Sequence, residues 1–130
     1  MGGDYAPAET VAGAVDAARR GVDVVLVGPK EIVTAELERL EESLPVVDAP
    51  EVIGMGDDPA RALREKPQSS IAVCARMVAA GEAAGFVGAG STGAAMAAAS
   101  ILIGRIQGVS RPAIATIFPT PGTPTLVLDS

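Results

Sequence analysis

A chain of 130 residues fits one ordinary domain and is long enough to bury a real core. Hydrophobic residues make up 48% of it and aromatics only 2%, so Ala, Val, Leu and Ile must fill that core. The net charge of -6, without a basic patch, excludes general nucleic-acid binding, which needs basic surface to displace counterions. With no histidine, neither a Ser-His-Asp nor a Cys-His arrangement can be built, and no Cys/His cluster exists for zinc.

The single cysteine, Cys74, rules out an intrachain disulfide framework and suits a reducing cytosol. No apolar run reaches the ~20 residues a bilayer requires. The start, "MGGDYAPAE", lacks a signal-peptide layout, so the cytoplasm is the expected location.

In chain order, Pro7 and Glu9 open a first helix. Val11, Ala14, Val15 and Ala18 form its apolar stripe, and Gly21 closes it. "VDVVLVG" (22–28) reads as a strand buried on both faces. Pro29 and Glu31 open a second helix, with Val33, Leu37, Leu40 and Leu44 on one stripe. "LPVVDA" (44–49) is the next strand. From Glu51 to Ser70 the pattern loosens into an irregular connection with one short helix near Pro59 to Arg64. Ile71, Cys74, Ala75 and Val78 then mark a helix ending at Gly81. "AGFVGAG" reads as a strand, "STGAAMAAASILIG" as a helix, and "AIATIFP" and "TLVLD" as strands. Repeated β-α order predicts an α/β fold, a mainly parallel sheet with helices on both faces. Both ends read as cut, so residues 1–130 are expected to be the N-terminal part of one larger α/β domain.

Gly88, Gly90 and Gly93 give the spacing G-x-G-x-x-G between a strand and a helix. A dinucleotide site also needs an acidic residue roughly 20 positions on, and none occurs between Glu82 and Asp129. Ala94-Ala95 after Gly93 excludes a P-loop as well. Two readings stay open. Glycines at a helix start expose amides to an anion favoured by the dipole, with Ser91 and Thr92 adding hydroxyls. Alternatively, Ser91 or Thr92 only caps the helix and the glycines serve close packing. The plain expectations elsewhere are core filler for Cys74, solvated charge for Arg64 and Lys66, a helix cap for Asp4, and surface positions for Arg105 and Arg111.

Four collinear segments resemble a known family: "MGGDYAPAETVAGA", "DDPARALREKPQSSIAVCARMV", "EAAGFVGAGSTGAAMAAA" and "GRIQGVSRPAIATIFPT". They look like the bacterial acyl-acyl carrier protein:phosphate acyltransferases of phospholipid synthesis. This chain carries Ser91 where that family usually has Asn, and Lys66-Pro67-Gln68 where its run is richer in lysine. The resemblance implies that inorganic phosphate attacks the thioester of an acyl-acyl carrier protein, without cofactor or metal. The acyl phosphate so formed feeds a membrane glycerol-phosphate acyltransferase. It also implies an isocitrate/isopropylmalate dehydrogenase-like fold and a homodimer, cytoplasmic with peripheral membrane contact.

Under that resemblance Lys66 and Thr92 are the candidate catalytic residues. Gly2, Gly3, Asp4, Ser69, Ser70, Gly90, Ser91, Gly93 and Arg111 are the candidate phosphate-binding residues. The competing expectations are a phosphotransacetylase-like enzyme using acyl-coenzyme A, and an inactive dimerisation or carrier-docking piece.

Overall fold

The computed structural model describes residues 2–129; Met1, the first letter of the opening motif, and the terminal Ser130 lie outside them. The order is α1 (Ala8–Arg19), β1 (Leu26–Gly28), α2 (Lys30–Arg39), β2 (Val46–Asp48), α3 (Pro59–Glu65), α4 (Ser70–Ala79) and α5 (Thr92–Ala98). A π-helical turn, Ala99–Ile103, extends α5, and β3 (Ile114–Phe118) and β4 (Thr125–Asp129) follow. The fold is α/β.

The first unit is a β-α-β layer. β1 and β2 pair in parallel, Leu26 opposite Val46 and Gly28 opposite Asp48. Val11 and Val15 of α1 bury against Val33 and Leu37 of α2, with Leu26, Leu40, Leu44 and Val46 closing the cluster. The i, i+4 spacing puts each pair on one helical face, which is why the stripe in the sequence becomes a core. Gly21 ends α1 at φ +87, where the Val22 amide reaches back to the Ala17 carbonyl at 3.2 Å. α4 ends the same way at Gly81. α2 uses Glu41 for this left-handed position, at φ 56, with the Glu42 amide on the Leu37 carbonyl.

The second unit packs α3, α4, α5 and the π turn together. Its core is Leu63, Ala72, Ala75 and Ala98, with Ile53, Ile71, Phe86, Ala97 and Leu102 against it. α4 also touches β1, which joins the two units.

Three expectations change. The run 84–90, read as a strand, is irregular, and Val87 in it is 98% exposed. Three glycines in those residues leave little side chain to pack, so nothing repays ordering the backbone as a strand. Only Leu26–Gly28 of the run 22–28 pairs, because β2 offers three partners. The described strands form two separate pairs, one parallel and one antiparallel, the latter being β3 with β4. A six-residue link between β3 and β4 is too short for the crossover that a parallel neighbour demands, so a hairpin is the geometric outcome. Its Ile117, Phe118, Leu126 and Leu128 are exposed.

Candidate functional site

The opening glycines meet the glycine turn. A Cβ placed on Gly2 would lie 2.8 Å from both Cα and N of Gly90, and one on Gly90 would lie 3.2 Å from Gly2 Cα. Neither position has room for a side chain without backbone movement. Gly3, at φ +96, lies against Ala89. Two segments 88 positions apart are thus held backbone to backbone, and glycine is what permits it. Asp4 follows, exposed. It is not the cap of α1, whose N-cap is Pro7.

At the start of α5 the Ser91 hydroxyl accepts from the Ala94 amide at 3.2 Å, and the Ser91 carbonyl accepts from the Ala95 amide at 3.0 Å. Ser91 is therefore the N-cap, the structural role the sequence allowed for it. The first two amides of the helix, those of Thr92 and Gly93, donate to no group among the described residues. Thr92 is exposed. The close-packing role of the glycines and the availability of these amides coexist: Gly2 and Gly90 do the packing, while the turn 88–92 stays open to solvent on its outer side.

α5 in turn sits on α3, since a Cβ on Gly93 would lie 3.2 Å from Pro59 Cγ. α3 begins with Asp58, whose carboxylate accepts from the Arg61 amide at 2.8 Å, followed by Pro at its first position. Lys66 ends α3, yet its side chain runs back along the helix. Its ammonium donates to Asp57 Oδ2 at 2.6 Å and to the Val52 carbonyl at 3.0 Å. Asp57 Oδ2 also accepts from the Gly54 amide at 2.9 Å. The Lys66 ammonium, and then the Gly54 amide, hold the Asp57 carboxyl below its ordinary 3.8. Lys66 is therefore held by the loop 52–57, with its side chain about one-third exposed. A cleft of about 240 Å³ beside it is lined by Gly56, Asp57, Asp58, Arg61, Glu65 and Lys66. Sequence reasoning chose Lys66 but missed Asp57, because a partner nine positions away across a helix leaves no periodic signal.

α4 starts where β2 leads. Glu51, three residues beyond β2, bridges Ser69 in parallel register; its carboxylate accepts from the Gln68 amide at 2.7 Å and its carbonyl from the Ser70 amide at 3.2 Å. That places Ser69 and Ser70 off the carboxyl end of β2, the end at which open α/β sheets bind ligands. Ser69 is fully buried, and among the described residues its hydroxyl has no hydrogen-bond partner. It is also the N-cap residue of α4, without making the capping bond its position offers.

Arg111 stands exposed ahead of β3, and among the described residues no hydrogen bond or ion pair links it to the glycine turn. Cys74 is half-buried on α4, and burial pushes its thiol up, which suits packing more than nucleophilic chemistry. Among the described residues no group of His, Cys, Asp and Glu could hold a metal ion, and no helix is long and apolar enough to cross a membrane.

These elements belong to a known family. The family described as fatty acid synthesis protein matches residues 1–130. A phosphate acyltransferase of Anaeromyxobacter sp. is 50% identical over 99% of this chain and 37% of its own length. One of Herpetosiphon aurantiacus is 50% identical over 99% of this chain and 36% of its own length. One of Gloeobacter violaceus is 54% identical over 92% of this chain and 36% of its own length. The chain thus spans little more than a third of these relatives. Taken over its whole described sequence, the chain belongs to the fatty acid synthesis protein family.

Proposed function

We propose that this chain is the N-terminal part of a phosphate acyltransferase that moves a fatty acyl group from acyl-acyl carrier protein to inorganic phosphate. The observation that carries the reading is the convergence at the glycine turn: Gly2-Gly3 against Ala89-Gly90, and Gly93 against the start of α3. Relatives named phosphate acyltransferase, half identical over almost all of the chain, support it.

In this reading Gly90, Ser91, Thr92 and Gly93 form the anion grip, with Thr92 and Gly93 presenting amides and Thr92 its hydroxyl. Lys66 supplies the cation, Ser69 and Ser70 add donors, Gly2, Gly3 and Asp4 shape the wall, and Arg111 arrives from the connection ahead of β3. A phosphate oxygen attacks the thioester carbonyl carbon, giving a tetrahedral oxyanion. Collapse breaks the C–S bond, the carrier leaves as thiolate, and the proton of hydrogen phosphate ends on that sulfur. Hydrogen phosphate is already an anionic nucleophile and thiolate a fair leaving group. The protein therefore needs orientation and oxyanion support more than a strong base, and a chain without histidine suffices. The full enzyme is proposed as a homodimer of isocitrate/isopropylmalate dehydrogenase-like fold in the cytoplasm. It would pass acyl phosphate to a glycerol-phosphate acyltransferase at the membrane surface.

Steady-state kinetics of the full enzyme test the assignment. Thr92→Ala and Lys66→Ala should each raise the phosphate KM about tenfold or more, the loss expected for one hydrogen bond to a charged group. Unchanged phosphate KM in both would move the site elsewhere. Faster turnover of acyl-coenzyme A than of acyl-carrier thioesters would replace the proposed donor.

A further inference from the structure

A lysine ammonium carries three N–H donors, and in Lys66 two are spoken for, by Asp57 Oδ2 at 2.6 Å and the Val52 carbonyl at 3.0 Å. One donor remains. The two acceptors come from the single loop 52–57, which is folded on itself: the Gly54 amide bonds Asp57 Oδ2 at 2.9 Å and the Asp57 amide bonds the Gly54 carbonyl at 3.3 Å. Asp57 is also followed directly by Asp58 and Pro59, the residues that open α3, and Pro59 is the one that abuts Gly93 at the start of α5. The carboxylate therefore ties the lysine head to the loop that leads into α3, the helix whose first residue, Pro59, packs on Gly93.

Resting on the phosphate reading of Lys66 above, we propose that Asp57 is a positioning residue that holds the Lys66 ammonium with one N–H left for phosphate. The pair is about one-third exposed on each side. In such a setting the attraction itself is worth little, because solvent screens it. Its use is geometric: a flexible four-carbon stem is confined before the ligand arrives, so less rotamer freedom is lost on binding. Asp57 also weakens the net positive charge phosphate meets. Positioning and repulsion thus predict opposite signs when the carboxylate is removed, and this makes the proposal decidable.

The test is phosphate kinetics on the full enzyme with inorganic phosphate as the varied substrate. Asp57→Ala should raise the phosphate KM about five- to tenfold, with kcat and the acyl-substrate KM changed less than about twofold. Asp57→Asn, which keeps a neutral acceptor, should recover most of that loss. In a Lys66→Ala background Asp57→Ala should add nothing, since Asp57 acts only through the lysine. A lower phosphate KM in Asp57→Ala would overturn the proposal, showing the carboxylate to be a competitor for Lys66. So would an additive double variant. If Asp57→Ala does not fold, the Asp57→Asn protein alone decides: a phosphate KM below the parent's is repulsion, and one raised about twofold is positioning. If Lys66→Ala itself leaves the phosphate KM unchanged, the failure lies with the phosphate reading of Lys66 and not with Asp57.

Discussion

The two halves of the described molecule are held together by opposite means. In the N-terminal layer, Val11, Val15, Val33 and Leu37 fill the space between α1, α2 and the strands with branched side chains. In the second unit the buried residues are mostly alanines, and glycines bring Gly2 to Gly90 and Gly93 to Pro59. The first core is built by volume, the second by the absence of volume. A core of the first kind fails when methyl groups are removed, and one of the second kind fails when they are added. The candidate site lies in the second unit, where close backbone approach leaves the Thr92 and Gly93 amides available beside the side chains.

The largest expected effect tests the first half of that contrast. Leu37 is 4% exposed at the centre of the N-terminal cluster. Leu37→Ala should cost about 3 kcal/mol in urea unfolding, by loss of burial and by the cavity left behind. A cost under about 1 kcal/mol would mean that the layer collapses onto the gap and is not packed by volume.

The next tests the second half. Ala98 is fully buried where α5 meets the cluster of α3 and α4. Ala98→Leu adds three carbons on a helix that already packs closely on α3, with Pro59 Cγ 3.2 Å from where a Gly93 Cβ would stand, and should cost about 2 kcal/mol. The same substitution at Ala35, exposed on α2, should leave stability within about 0.5 kcal/mol. A neutral Ala98→Leu would show free space that the alanine-rich composition had concealed.

This contrast also explains how much could be seen in the sequence. α1, α2 and α4 were legible because branched residues recur at helical spacing and a glycine follows α1 and α4 in the left-handed position. α2 ended one step less visibly, because Glu41 takes that position instead. The run 84–90 misled because its Phe86-Val87 pair reads as strand, whereas its glycines leave it open and Val87 in solvent. In the site, the glycine spacing and the Ser69-Ser70 and Ser91-Thr92 pairs were visible as words, and the family resemblance gathered them. The contacts that assemble them were not. Gly2 on Gly90, Lys66 on Asp57 and Glu51 beside Ser69 are each set by tertiary approach, which leaves no mark at a fixed spacing.

The smallest effects come from two serines at helix starts in the second unit, and they should part company. Ser91 spends its hydroxyl on the Ala94 amide, so Ser91→Ala should cost about 1 kcal/mol, the usual loss of a cap. Ser69 is buried with no partner for its hydroxyl among the described residues, so Ser69→Ala removes a desolvation cost and no bond. Its thermal midpoint should be unchanged or slightly higher. If the unspent hydroxyl donates to phosphate, as proposed, the phosphate KM of Ser69→Ala should rise severalfold even as stability holds. Lower stability would reveal a structural partner for Ser69, and an unaltered phosphate KM would remove it from the site. The outcome separates the two helix starts: at Ser91 the hydroxyl is consumed by the fold, and at Ser69 the phosphate KM decides whether the buried hydroxyl has a use.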